Sequence, residues 1–362
     1  MNTKAKAISV IALACVCLAA CDEEAPPGAA VEVKETFGGL GDTPGRFAYP
    51  RCLDADPFSN TLWVIDKTGR IQQIDPGSGK CLSIWKMPLT DNGKPTGCTI
   101  ALDDDGRPLL YVADTHYHRV MVYRADEPVG RPGEGGLRDR ETPTLVGSFG
   151  EYGTGPGQFI FPTDIAIIPG ENGRGVRRIY VSEYGTNDRI SVFGPPPGYA
   201  CLFTFGTYGN DTSGENIQFD RPQSMIIAYV KSDSPTGSFL PDKQLIVADA
   251  RNHRIGRFSL DGALIGWFGD FRKPGDGLGQ FRIPYGLHDL GDGTALIAEF
   301  GNNRVQRIDL ATGMGMGTWG RPGRGEGELF NPWAVTTLGA KAYVLDSGNN
   351  RILSFAGPKK RN

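Results

Sequence analysis

Histidine is scarce in this chain, with four copies in 362 residues. That works against a zinc centre built from several imidazoles, and the cysteine spacings match no tight metal motif. A basic excess is also lacking, with 38 Lys and Arg against 41 Asp and Glu, so a polyanionic partner has no electrostatic reason to bind. There is no phosphate-cradling glycine loop and no Gly-x-Ser-x-Gly elbow. Beyond the first twenty residues no apolar run approaches the about 20 residues that a membrane-spanning helix needs. Glycine (51) and proline (26) are abundant instead, alongside 39% hydrophobic residues. A collagen would need a strict glycine period, and a disordered chain would lack this apolar content. The balance fits many short strands joined by glycine- and proline-rich turns.

The N-terminus carries Lys4 and Lys6 ahead of an apolar run from Ala7 to Ala20, the layout of an export signal. Leu18-Ala19-Ala20-Cys21 resembles the lipobox of bacterial lipoproteins, which implies cleavage after residue 20 and lipidation of Cys21. Residues 21–30 are polar, acidic and poor in large side chains, and read as a tether. Export would leave Cys52, Cys81, Cys98 and Cys201 in an oxidising compartment. One disulfide among Cys52, Cys81 and Cys98 is expected, with the pairing open.

A repeat fills the rest. Its opener, Gly-x-Phe-x-x-Pro, appears as Gly45-Arg46-Phe47-Ala48-Tyr49-Pro50, Gly157-Gln158-Phe159-Ile160-Phe161-Pro162 and Gly279-Gln280-Phe281-Arg282-Ile283-Pro284. Variants end at Pro222 and Pro332, and a degenerate copy lies at Lys94-Pro95-Thr96-Gly97. The six prolines stand 45, 67, 60, 62 and 48 residues apart. After each comes a strand ending in an acid, a turn, an arginine and a second strand: Asp66 with Arg70, Asp114 with Arg119, Glu183 with Arg189, Asp249 with Arg254, Glu299 with Arg304, Asp346 with Arg351. Such a unit is a β-hairpin with Asn- and Gly-bearing turns.

The opener and the Val-Ala-Asp…Asn-x-Arg-Ile/Val hairpin resemble the NHL repeat family over residues 31–357. The expected fold is all-β: a six-bladed β-propeller of four-stranded antiparallel blades, occupying residues 31–362. The last repeat ends one strand short. Val31 to Gly38 resembles the closing strands elsewhere, so the N-terminal strand is expected to complete the sixth blade and close the ring.

A residue needed once for chemistry has no reason to recur at one position in six blades, so the acid–arginine pairs read as structural. Three groups invite functional readings. Thr115-His116-Tyr117-His118, with Tyr184 and His253, sits on hairpin turns suited to ligand or partner contact. Asp164, His288 and Asp289 lie on inner-strand segments where a channel cation could bind. Long insertions at Arg124–Thr144, Gly170–Arg177, Gly194–Gly198 and Lys231–Asp242 fall on the face opposite the hairpins, a candidate binding rim. A related propeller, the peptide-amidating lyase, places zinc histidines directly after the opener proline. Here those positions are Arg51, Thr96, Thr163, Gln223, Tyr285 and Trp333, so that triad is missing.

The sequence therefore favours a lipid-anchored binding or scaffold propeller of a bacterial envelope, on the periplasmic side or the cell surface. Its partner would be an envelope protein or glycan, with no nucleic acid and no cofactor. The alternative is a metal-dependent hydrolase or lyase holding calcium or zinc in the channel.

Overall fold

Five of the six blades begin where an opener drops a side chain into the gap between neighbouring blades. Phe47, Phe159, Phe219, Phe281 and Leu329 are all fully buried. The residue they pack against is the glycine that ends a closing strand: Gly38, Gly150, Gly206, Gly269 and Gly320, with φ between 91° and 100°. A Cβ on Gly206 would clash with the edge of the Phe219 ring, so glycine is required there by space as well as by φ. The degenerate second-blade opener has no such plug.

The computed structural model describes residues 32–127, 129, 142–230, 242–270 and 273–361. The signal segment, Cys21, the tether and most of the 124–144 and 231–242 insertions lie outside the described residues. Six four-stranded antiparallel sheets form the blades. Their innermost strands are Pro50–Asp56, Gly97–Leu102, Phe161–Pro169, Pro222–Val230, Pro284–Asp289 and Pro332–Leu338. Each packs against the next, and the sixth returns to the first. In the sixth blade Val33–Gly38 pairs antiparallel with Arg351–Ala356, Phe37 opposite Ile352. The expected closure of the ring by the N-terminal strand is thus present.

Cys52 and Cys98 form a disulfide between the inner strands of blades 1 and 2, Cα atoms 6.1 Å apart. Cys81 lies outside this bridge, buried on the outer strand of blade 1 with its Sγ directed at the Ser83 carbonyl.

Candidate functional site

The hairpin acids and arginines clasp the openers. Arg189 Nε donates to Glu183 at 2.7 Å, and its other nitrogens donate to the carbonyls of Thr154, Gly155 and Gln158. The second Glu183 oxygen accepts from Ile160 N at 2.7 Å. Similar forks run from Arg70, Arg254, Arg304 and Arg351 to opener carbonyls. Asp66, Asp249, Glu299 and Asp346 accept from opener amides in the same way. Arg119 is the exception. It reaches Asp114 at 3.0 Å, but its Nη2 and the Asp114 Oδ1 are buried without partners. Blade 2 has only the degenerate opener, and among the described residues no opener carbonyl accepts from Arg119.

A second bond runs between blades. The last turn residue of a hairpin accepts from the backbone N–H of the residue before the next opener proline. Asp188 holds Arg221, His253 holds Ile283, Asn303 holds Asn331 and Asn350 holds Tyr49, at 2.6, 3.1, 2.8 and 2.7 Å. Those four pre-proline residues have φ of 62°, 50°, 52° and 51°. Left-handed backbone is costly for non-glycine residues, a β-branched Ile283 most of all, and proline disfavours it further in the residue before it. The inter-blade bond holds that strained backbone in place, and the strained backbone turns Tyr49 and Arg221 toward the axis.

This accounts for the sequence-predicted turn residues. His253 spends Nδ1 on the Ile283 amide, which fixes it as an acceptor; burial lowers its pKa. His116 Nδ1 lies 3.1 Å from Lys94 N and its ring 5.3 Å from Phe161. His118 Nδ1 contacts the Ile160 carbonyl, and Tyr117 Oη accepts from Asn92 N at 3.0 Å. Four of these groups are therefore used in holding loops and blades. Tyr184 differs: its ring lies under the Arg221 guanidinium, Cζ to centroid 4.7 Å.

Tyr184 belongs to a collar around the channel mouth on the hairpin face. Phe161 and Tyr184 stand 5.2 Å apart; Tyr285 and Trp333, 4.8 Å; Trp333 and Tyr49, 5.9 Å. Arg221 also lies 5.5 Å from the Tyr285 ring, and Arg51 lies 5.9 Å from Tyr49 and 5.6 Å from Trp333. Sequence reasoning examined the positions after the opener prolines only for histidine. Three of them, Arg51, Tyr285 and Trp333, build this collar.

Below it the axis holds a cavity of about 120 Å³. Asp164 accepts from Met225 N at 2.7 Å, and Asp54, which sequence reasoning missed, accepts from Ala55 N and Ile100 N. Burial pushes Asp164 up to about 6 and, with the Asp164 charge adding to it, Asp54 up to about 7. His288 faces the same cavity but engages Thr337 Oγ1 at 2.7 Å, and burial lowers its pKa to about 4. Asp289 accepts from Gly291 N and is not among the residues lining the cavity. Asp164 and His288 thus share the cavity and Asp289 lies apart from it; among the described residues no three His, Cys, Asp or Glu side chains are grouped to hold a metal ion. On the opposite face the Gly170–Arg177 loop, with Lys243 and Asp261, borders an open cleft.

No protein-family profile matches the sequence, and no curated protein sequence matches it. Solved structures do match in fold. A protein of unknown function from Bacteroides thetaiotaomicron superposes with a TM-score of 0.57 at 16% identity, covering 88% of this chain and 72% of that one. A streptogramin B lyase superposes at 0.51 and 14% identity, covering 90% and 88%. The chain is a six-bladed β-propeller. At these identities the likeness shows the fold alone. No helix among the described residues is long and apolar enough to cross a membrane.

Proposed function

We propose that this propeller is a binding protein of the bacterial envelope that recognises its partner with the hairpin face. The observation that carries this is the collar. Seven aromatic or guanidinium side chains, from blades 1, 3, 4, 5 and 6, converge on one mouth; Tyr285 and Trp333 are buried there, and Tyr49, Arg51, Phe161, Tyr184 and Arg221 are half-buried. Half-buried aromatic rings and arginines around a concavity, backed by buried rings, are the composition of binding hot spots. The NHL-like openers and hairpins agree with a scaffold of this kind. The lipobox-like Leu18–Cys21 segment supports a membrane anchor through lipidated Cys21, with residues 22–30 as tether.

Photo-crosslinking on the full chain in its native envelope tests the reading. Benzoylphenylalanine at Tyr184, in the collar, is expected to capture a discrete partner. The same group at Tyr229, exposed at the far end of an inner strand, is expected to capture none. Capture from 229 alone, or from neither, overturns the assignment. Palmitate incorporation by the wild-type chain and its loss in Cys21→Ser tests the anchor. The metal-dependent alternative would show as stoichiometric calcium or zinc in chelator-free preparations, read by elemental mass spectrometry.

A further inference from the structure

Arg51 and Arg221 project into the mouth from opposite sides. Blade 1 packs against blades 2 and 6, and blade 4 against blades 3 and 5, so the two arginines stand across the ring from one another. They are close enough that the Arg221 charge, after burial, lowers the Arg51 pKa. Every hairpin arginine has its carboxylate. These two have none among the described residues: Arg221 Nε donates to the Gln223 amide oxygen at 2.9 Å, and Arg51 Nε is buried with no hydrogen-bond partner. Two part-buried like charges facing one another without a counter-ion repel and forgo hydration, a costly arrangement that an anion between them would relieve.

The surroundings narrow the anion. Rings of Tyr184, Tyr285, Tyr49 and Trp333 flank the guanidiniums. A guanidinium lying over a ring points its N–H edge away from that ring, and the edge of the planar fork matches the two oxygens of a carboxylate. The mouth is the centre of a closed ring and opens on a cavity of about 120 Å³, a space that suits the end of a polymer better than a continuous chain. Deeper in, Asp54 and Asp164 line the cavity, and the ionised Asp164 would repel an anion that went further. The charge therefore halts at the arginines while the rings contact the group that carries it.

Resting on the binding reading above, we propose that the channel mouth captures the C-terminal carboxylate of a polypeptide whose last residue is apolar, with Arg51 and Arg221 as the clamp and Tyr49, Tyr184, Tyr285 and Trp333 as the walls.

The probe is N-acetyl-Gly-Ser-Gly-Phe as free acid and as C-terminal amide, titrated calorimetrically into the full chain in mild detergent. The free acid is expected to bind at least tenfold more tightly than the amide. Arg51→Met and Arg221→Met should each remove that preference, and raising sodium chloride from 50 to 500 mM should weaken the acid and not the amide. Arg51→Met should also melt no lower than wild type, because it deletes a part-buried cation that has no carboxylate partner among the described residues, whereas a structural arginine would lower the melting temperature. Equal binding of acid and amide, or no binding of the acid, overturns the proposal. So does preference for phenyl phosphate or a galacturonate trimer over the peptide acid. Crosslinking from position 184 would still stand in each of those cases, which separates failure of the carboxylate clamp from failure of the binding face.

Discussion

The Arg254 guanidinium lies over the Trp267 ring, Cζ 3.5 Å from the centroid, while its Nε donates to Asp249 at 2.7 Å. One side chain thus ties a hairpin to the outer strand of its own blade and, through the Asp211 and Gln218 carbonyls, to the loop before it. Lysine keeps the charge but loses the fork and the stacking face. Arg254→Lys is expected to cost about 2–3 kcal/mol by urea denaturation. Arg119→Lys, where no opener carbonyl is engaged, should cost less than about 1 kcal/mol. Equal costs would mean that the opener bonds contribute little.

Blade 2 lacks both the plug and the clasp, and it is the blade the disulfide joins to its neighbour. Closing a loop of sequence separation 46 restricts the unfolded chain by about 4 kcal/mol in the entropic account. The Cys52→Ser/Cys98→Ser double variant should lose about 2–4 kcal/mol in a denaturant titration, with blade 2 amides losing most hydrogen-exchange protection. An unchanged midpoint would leave the bridge without a stabilising role.

His253 holds the Ile283 amide only while Nδ1 is unprotonated. Its folded pKa lies below the usual 6.5 because of burial and the Arg282 charge. The unfolded state therefore binds the proton more readily, so this contribution is complete above about 6.5 and is lost as pH falls through the folded value. His253→Asn, which copies Asn350, keeps an acceptor that does not titrate. Its melting temperature should fall less than that of wild type between pH 7 and pH 5. Parallel pH profiles would show that the imidazole is not the sensor.

Gly206 meets Phe219 at φ 94°. Gly206→Ala adds both a left-handed residue and a clash with a buried ring, and is expected to cost about 2 kcal/mol or more. Gly173→Ala, also at positive φ but with nothing near its Cβ, isolates the backbone share at about 1 kcal/mol. If the two losses match in thermal melts, the ring contact is unimportant.

The propeller and its closure were legible because both depend on local, repeated chemistry. Phe47, Phe159 and Phe281 announce the openers, and Asp249 with Arg254 announces a hairpin whether or not the neighbouring blade is known. The collar was not legible. Arg51 and Arg221 become partners only once the blades are counted and placed in opposite positions, and they are 170 residues apart in the chain. Tyr49 and Ile283 adopt a backbone that proline locally disfavours, so their orientation comes from the inter-blade bonds. Asp54 hid for a similar reason: a shift in register between Pro50 and Cys52 breaks the simple alternation that would have assigned it to the channel.

The pairing of Val33–Gly38 with Arg351–Ala356 has a consequence for biogenesis. The first strand of the ring to be synthesised is the last to be placed, since its partner emerges from the ribosome some 315 residues later. Until then it is an orphaned edge, open to pairing with any other chain that passes. Its sequence, Val-Lys-Glu-Thr-Phe-Gly, puts adjacent opposite charges in the middle of that edge, as aggregation gatekeepers do. Once the partner arrives, Glu35 finds Lys341 and Ser354, so the residues that guard the waiting strand also help to fix its register in the finished ring.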